Sequence, residues 1–255
     1  MKKNFFLRAI CFILECIEFV ILSVLLGIVF IVIQPFIWCF TKGKKNVRKD
    51  DEARVFVSNH YEIYGPMVVF LRFPFSFRPW VIDKMCNPDT IEQQASIGFY
   101  NNYKWIPKWL KVCIMKIAKR FILFIIKFAK PIPVSRDNPR ANIKTMQKST
   151  EILNKHKAIF IWPELCSVKE GVGDFMTGFE FIGKYYYQKT GKKISFYPVF
   201  TSRKKHTMFI EEPIIYNPDN DPNEEKQRIV NGLHDAMVNS YIKNEKSKQK
   251  QSDKN

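Results

Sequence analysis

The chain has 255 residues, of which 46% are hydrophobic and 25% are charged, and its formal net charge is +17 at pH 7. This length and apolar content are enough for one domain with a full core plus appendages, and they exclude wholesale disorder. The excess of lysine and arginine predicts an anionic partner, and lipid headgroups and nucleic acid are the two candidate classes.

Cysteine and histidine usage argues against a disulfide framework and a metal site. The six cysteines form no CxxC pair, and most of them lie within apolar stretches. We interpret them as reduced packing thiols, which favours a cytoplasmic body over a secreted one. The four histidines show no spacing typical of metal ligands, so neither a metal nor a resident cofactor is expected.

The first predicted element is an uncharged apolar segment. Residues Phe19 to Phe40 carry no charge over 22 positions, and as a helix they would reach about 33 Å, enough to cross a bilayer core. Basic residues follow in excess: Lys42, Lys44, Lys45, Arg48 and Lys49. This excess favours a cytoplasmic main domain behind a membrane anchor over residues 1–49. A bent pair within one leaflet and a soluble packing helix are the alternatives, and integral anchoring is preferred.

Alternating strand and helix patterns follow the anchor and predict an α/β fold with a mixed, mostly parallel sheet flanked by helices. Strands are predicted at residues 54–59, 79–82, 131–134, 157–162, 194–200 and 207–210. Helices are predicted at residues 66–73, 107–128, 139–155, 177–190 and 224–242. The predicted domain spans residues 50–216, with a C-terminal helix over 217–242 and a disordered basic tail over 243–255.

The helix predicted over residues 107–128 is basic and amphipathic. Residues 104–130 contain eight lysines or arginines and no acidic residue. At about 100° per residue, most of these charges fall within half of the circumference and apolar side chains take the other half. With Trp105 and Trp109 near its start, this helix suits a lipid headgroup boundary, and an ordinary surface helix is the alternative. Nucleic acid is not the expected partner, because its readers interleave aromatic and charged residues on a solvated face.

Two predicted strands end in polar residues. One leads into Asn59-His60 and the other, about a hundred residues later, leads into Trp162-Pro163-Glu164. Strand ends of one α/β sheet gather reactive groups at a common rim. The sequence therefore predicts an imidazole and a carboxylate at the same edge of the sheet.

These two blocks, with Val134-Ser135-Arg136 and Tyr197-Pro198-Val199, resemble the motifs of the lysophospholipid (1-acyl-glycerol-3-phosphate) acyltransferase family. The family's blocks read N-H-x4-D, F-I-D-R, F-P-E-G-T-R and V-P-V, and they occur in this order. The resemblance covers about residues 50–215. It implies transfer of a fatty acyl group from acyl-CoA or acyl carrier protein to a glycerolipid hydroxyl at a membrane, with the catalytic domain on the cytoplasmic face.

The resemblance also implies a role for each matching residue. His60 is the expected general base, because acyl transfer requires removal of the acceptor's hydroxyl proton and histidine titrates near neutrality. Arg136 is expected to grip the acceptor's phosphate, since a guanidinium bonds two oxygens at once. Glu164 is expected to shape the acceptor pocket through hydrogen bonds, and Asn59 is expected to contact the substrate.

One departure from the family concerns the group that orients the histidine. Gly65 stands where the family has the aspartate that fixes the imidazole tautomer. Glu62 is the predicted replacement, and Asp83 or a backbone carbonyl is the alternative. The missing aspartate leaves a second function open, a catalytically silent lipid-binding relative.

A second departure follows Glu164, where Leu165-Cys166-Ser167 replaces the family's Gly-Thr-Arg. Lys169 is the predicted substitute for the lost arginine, as a point charge near the acceptor. Cys166 is interpreted as a packing thiol, because no histidine adjoins it in sequence. A basic turn, Arg203-Lys204-Lys205-His206, separates the last two predicted strands and is interpreted as solvated.

Overall fold

The structure is a computed structural model that describes residues 24, 38–50, 53–62, 64–91, 93, 107–135, 138, 140–155, 157–165, 168 and 170–246. It divides the chain into two compact units, Met1–Trp38 and Cys39–Asn255. Most of the predicted anchor lies outside the described residues. Among the helices that are described, none combines the length and apolar character needed to cross a membrane.

The second unit is an eight-stranded sheet with flanking helices. The strands are β1 (Phe40–Lys42), β2 (Arg54–Ser58), β3 (Phe77–Ile82), β4 (Ile132–Val134), β5 (Ala158–Ile161), β6 (Ser195–Ser202), β7 (Thr207–Ile210) and β8 (Ile214–Ile215). The helices are α1 (Tyr64–Arg72), α2 (Asp83–Cys86), α3 (Lys108–Ala129), α4 (Ala141–Asn154), α5 (Phe181–Thr190) and α6 (Pro222–Tyr241). A 3₁₀ turn at Lys44–Asn46 and a π-helical turn at Ile242–Lys246 complete the described elements.

The strand order is β1-β7-β6-β2-β5-β3-β4, and β8 pairs with β6. The pairings of β2, β3, β4 and β5 are parallel, as are those of β2 with β6 and of β1 with β7. Among the described strands, only the pairings of β7 and β8 with β6 are antiparallel. The predicted α/β fold with a mixed, mostly parallel sheet is therefore confirmed. The central strands are buried on both faces, which explains why β2 and β5 are almost continuously apolar.

Each face of the sheet has its own packing. Successive side chains of a strand point to opposite faces. Ile159 of β5 joins an apolar core that includes Leu153 of α4, Ile182 of α5 and Leu233 of α6. On the opposite face, the rings of neighbouring strands meet the aromatic residues that follow α1: Phe56 with Phe73 at 4.8 Å, and Phe73 with Phe160 at 5.0 Å. Burial on both faces therefore fixes the register of β2 and β5.

The folded body starts before the predicted boundary at residue 50. Strand β1 pairs with β7, and the side-chain amide of Asn46 donates to the carbonyl oxygen of Ile210 at 2.8 Å. Residues 40–46 therefore belong to the sheet domain rather than to the anchor. A three-residue edge strand carries too little alternation to be recognised from sequence.

The C-terminal boundary also differs from the prediction. Helix α6 is capped by Asp221, whose carboxylate accepts from the backbone N–H of Asn223 at 2.8 Å. After Tyr241 the chain continues as the π-helical turn to Lys246, where Glu245 is buried and accepts a hydrogen bond from Ser202. Residues 243–246, assigned from composition to a disordered tail, are therefore structured because of this long-range contact.

Helix α3 occupies the span predicted for the basic amphipathic helix. Trp109 is 69% exposed and Phe128 is 83% exposed, whereas Lys111 is only 6% exposed. Lys111 is thus buried, although the sequence pattern groups it with the other basic residues of the helix. Trp105 lies outside the described residues.

Candidate active site

His60 and Glu164 lie at the carboxyl ends of two neighbouring parallel strands. Val57 of β2 is paired with Ile161 of β5. His60 lies three positions after Val57, and Glu164 lies three positions after Ile161. The backbone N–H of His60 donates to Oε2 of Glu164 at 2.9 Å. The structure thus brings together two residues that the strand pattern places at one edge of the sheet.

The carboxylate of Glu164 is a buried acceptor for backbone groups. Its side chain belongs to a residue that is 4% exposed, and Oε1 accepts from the N–H of Gly173 at 2.9 Å. Burial raises the pKa of the Glu164 carboxyl, while the N–H groups of Gly173 and His60 act to lower it. Because each of its two oxygens accepts from a backbone N–H, Glu164 fixes the turn that carries His60.

A short hairpin supplies the second of these donors. Glu164 forms an antiparallel bridge with Phe175, and the N–H of Leu165 donates to the carbonyl oxygen of Asp174 at 2.8 Å. This pairing returns the chain to the sheet edge and brings Gly173 against the carboxylate. No local pattern in the sequence indicated the contact of Gly173 with Glu164.

Replacing Glu164 with glutamine is expected to destabilise the protein by about 1–3 kcal/mol, because the amide NH₂ would face a buried N–H donor and leave it unsatisfied. Chemical denaturation at pH 7 measures this change. Glu151→Gln, on the exposed side of α4, is the matched control and is expected to stay within about 0.5 kcal/mol of the wild type. Equal stability of the two variants would contradict the positioning role of Glu164.

Asn59 ties the end of β2 to β6. It is fully buried, its Oδ1 accepts from the N–H of Thr201 at 2.8 Å, and its Nδ2 donates to the carbonyl oxygen of Thr201 at 3.2 Å. Both ends of the carboxamide are therefore engaged by the neighbouring strand. This gives Asn59 a positioning role, and its contact with a substrate stays a prediction.

The turn after His60 has an unusual backbone. Tyr61 and Glu62 both have left-handed conformations, with φ values of 47° and 55°. Such conformations are uncommon for residues other than glycine, and they cluster at functional sites. The left-handed pair reverses the chain so that α1 can begin at Tyr64. Glu62, the predicted orienting group, is half-buried in this turn.

Asp83, the alternative orienting residue, lies on a different part of the edge. It follows β3, which is separated from β2 by β5. Its Oδ1 accepts from the N–H of Lys84 at 2.7 Å. The structure therefore does not bring Asp83 next to the His60 strand end.

Gly65 packs directly on the backbone of His60. A Cβ at this position would overlap the carbonyl oxygen of His60 and would lie 2.9 Å from its carbonyl carbon and 3.1 Å from the carbonyl oxygen of Asn59. No side chain fits there without movement of the main chain. At the position where the acyltransferase motif has an aspartate, α1 therefore packs tightly against the end of β2 and leaves no room for a side chain.

An apolar cleft of about 520 Å³ adjoins this site. It lies at the carboxyl ends of β3, β4 and β5, and its other wall is formed by α4 and residues 176–181. Two polar side chains of the wall are turned to the backbone: Asn142 accepts from the N–H of Ser135 at 3.1 Å, and Thr145 donates to the carbonyl oxygen of Pro133 at 2.6 Å. Most of the other residues that line the cleft are apolar.

Trp162 links the cleft to the histidine. Its side chain lines the cleft, and its ring centroid lies 6.4 Å from that of His60 in an edge-on arrangement. In the sequence, Trp162 is distinguished only as part of the Trp162-Pro163-Glu164 block. No local signal identifies a tryptophan as a wall shared by two sites.

The remaining predicted site residues, Arg136 and Lys169, lie outside the described residues, as does Cys166. One further residue near the site was not predicted. His234 of α6 packs edge-on against Phe175 at 5.2 Å, and its charge acts to lower the pKa of the Glu164 carboxyl. Its distance in sequence from the four motif blocks explains why sequence analysis missed it.

Comparison with known proteins does not identify a relative of this chain. No family model, no curated protein and no solved structure matches it. The motif resemblance therefore remains a prediction, and function is inferred from the residues and geometry of the site.

Proposed function

We propose that this protein is a membrane-associated acyltransferase that moves a fatty acyl group from acyl-CoA or acyl carrier protein to the hydroxyl of a lysophospholipid or related glycerolipid. One observation carries the proposal. The ring of Trp162 packs beside that of His60, at the carboxyl end of β2, and also lines an apolar cleft of about 520 Å³. A proton acceptor beside an alkyl-sized apolar cleft is the arrangement that this reaction requires.

The proposed chemistry assigns one proton transfer to His60. The imidazole takes the proton of the acceptor hydroxyl as its oxygen attacks the thioester carbonyl carbon of the donor. The new C–O bond forms, the C–S bond breaks, and the imidazolium returns the proton to the leaving thiolate. Glu164 holds the backbone of His60, and Glu62 is the proposed partner of the imidazole.

The cleft suits the acyl chain. Its volume is within the range of about 300–1,000 Å³ that is usual for ligand pockets. Two of its lining residues, Ile143 and Phe181, are 56% and 48% exposed. Large apolar side chains at the mouth of an apolar cleft favour a hydrocarbon ligand over a polar one.

Several features support work at a membrane surface. The chain carries a net charge of +17 and begins with an apolar segment that we propose as an anchor, with the folded body on the cytoplasmic face. On α3, Trp109 and Phe128 are largely exposed. Exposed aromatic rings on a basic helix suit the boundary between headgroups and acyl chains.

A catalytically silent lipid-binding protein is the second candidate. The observation in its favour is Gly65, because the packing at this position excludes the carboxylate that orients the histidine in the family. The apolar cleft and the basic helix α3 would serve a lipid-binding protein equally well. Activity separates the two candidates.

The test is acyl transfer by the purified full-length protein in detergent. Labelled acyl-CoA and acyl carrier protein donors are offered with a panel of lysolipid and glycolipid acceptors that includes lysophosphatidate. A labelled acyl-lipid product is expected. Absence of product across the panel, from protein that unfolds cooperatively on heating, would contradict the enzyme and support the lipid-binding relative.

The size of the cleft gives a further prediction. Met146 lines the cleft and packs against the core. Met146→Trp is expected to lower the use of long-chain relative to short-chain donors by about tenfold, since the added ring occupies space proposed for the chain. Met146→Leu, which nearly conserves volume, is the control. An unchanged chain-length profile in both variants would place the acyl chain elsewhere.

A further inference from the structure

The folded body begins at the edge of the sheet that carries His60. Strand β2 is parallel to β6, and β7 runs antiparallel to β6, so β6 ends and β7 begins at this edge. Phe40 is paired with Thr207, and its N–H donates to the carbonyl oxygen of His206 at 2.8 Å. Phe40, the first residue of β1, therefore lies beside the turn from Arg203 to His206.

This turn, which we call the basic turn, consists of Arg203, Lys204, Lys205 and His206, all of which are exposed. It is held in a defined shape. The N–H of Lys205 donates to Oγ of Ser202 at 3.1 Å, the hydroxyl of Thr207 donates to the carbonyl oxygen of Lys205 at 2.8 Å, and His206 is left-handed with a φ of 46°. These hydrogen bonds give the backbone of the turn a defined conformation that a freely solvated loop would lack.

Two residues of the basic turn lie against Tyr64, the first residue of α1. The guanidinium of Arg203 lies over the ring of Tyr64, 5.8 Å from its centroid, and Nδ1 of His206 lies 3.5 Å from the hydroxyl of Tyr64. Tyr64 opens α1 and stands four positions after His60. Burial raises the pKa of Tyr64 to about 12, so its hydroxyl keeps its proton at neutral pH and can donate a hydrogen bond to an anion.

The charges of the basic turn divide into two groups. Lys204 forms an ion pair with Glu170, and Nζ of Lys205 lies 3.4 Å from Oδ1 of Asn244. Arg203 has no carboxylate partner among the described residues. The guanidinium is thus a charge of the turn with no carboxylate partner in the described part of the chain, and it stands next to an imidazole and a phenol.

We propose that Arg203, His206 and Tyr64 form a binding site for a phosphate group at the rim of the candidate active site. A guanidinium binds two phosphate oxygens at once, and the hydroxyl and imidazole offer further hydrogen bonds. The phosphate belongs either to a lipid headgroup at the membrane surface or to a soluble acyl donor such as coenzyme A. Its place in a reaction rests on the proposed function, whereas the binding itself does not.

Binding of the labelled full-length protein in nonionic detergent tests this site. The lipid arm compares micelles containing phosphatidic acid with micelles containing diacylglycerol, and the soluble arm uses coenzyme A and inorganic phosphate. Arg203→Gln is expected to weaken phosphate binding by about tenfold or more, as for loss of a hydrogen bond to a charged group. Arg203→Lys retains the positive charge but cannot bind two phosphate oxygens in the planar geometry of a guanidinium, and it is expected to recover only part of the binding.

His206→Asn and Lys189→Gln complete the set of variants. Asparagine tolerates the left-handed backbone, so His206→Asn tests the imidazole with little strain and is expected to weaken binding. Lys189 lies 5.9 Å from the ring centroid of Tyr185 at the end of α5, so Lys189→Gln removes a comparable cation–ring contact elsewhere. Thermal unfolding of every variant is expected to match the wild type.

The arms identify the source of the phosphate. Weakening in the lipid arm alone assigns the site to a headgroup, and weakening in the soluble arm alone assigns it to the donor. No weakening in either arm, or equal weakening by Lys189→Gln, would overturn the proposal. Because no turnover is measured, Arg203-dependent binding by a protein without acyl transfer keeps this site and rejects the proposed function, while an active protein with unchanged binding does the reverse.

Discussion

Replacing His60 with alanine is expected to reduce acyl transfer by about 10²–10⁴-fold, the usual contribution of a general acid–base residue. The imidazole is the only part of the residue that the proposed chemistry uses. The contact with Glu164 is made by the backbone N–H of His60, at 2.9 Å, and alanine retains this donor. The substitution therefore removes the proposed base and leaves the turn in place.

This separation makes the His60→Ala result interpretable. Labelled acyl transfer is measured under saturating donor and acceptor, and binding to vesicles and thermal unfolding are measured on the same preparations. Both of the latter are expected to match the wild type. Activity within about twofold of the wild type would show that another group removes the proton, and loss of cooperative unfolding would show that the imidazole has a structural role instead.

Introducing the aspartate of the acyltransferase motif by Gly65→Asp is expected to destabilise the protein and not to increase its acyl transfer activity. The Cβ would overlap the carbonyl oxygen of His60 and lie 3.1 Å from that of Asn59, and both obstacles are backbone atoms that cannot rotate away. Overpacking of this kind costs about 1–3 kcal/mol and occasionally more. Because the displaced atoms belong to His60 itself, activity is expected to fall with stability.

Gly65→Ala separates the space effect from the carboxylate, and it is expected to destabilise to a similar degree. Gly232→Ala is the matched control. A Cβ there lies 2.6 Å from the terminal methyl of Ile214, at the flexible end of a side chain, and alanine favours the interior of α6 by about 1 kcal/mol. Chemical denaturation compares the three variants. Wild-type stability in Gly65→Ala, or a gain of acyl transfer in Gly65→Asp, would contradict the tight contact described for this position.

Much of the fold was predictable because the signals are local. Apolar runs bounded by proline, glycine and polar residues predicted six strands and five helices, and each is observed within a few residues of its predicted bounds. Strands β1 and β8 were missed because two or three residues carry no recognisable period. Glu245 gave no local signal of burial, since its partner Ser202 is 43 positions away.

The candidate site also combines residues that the sequence predicted with contacts that it did not. The nearly continuous apolar residues before His60 and Glu164 predicted that both follow buried strands. The hydrogen bond from the His60 backbone N–H to Glu164 joins residues 104 positions apart, so it depends on the tertiary fold. Tertiary structure also decided that the basic turn lies against Tyr64, and that Gly65 leaves no room for a side chain. These contacts depend on strand order and register, which arise when distant segments bury their apolar faces together, and no local pattern encodes them.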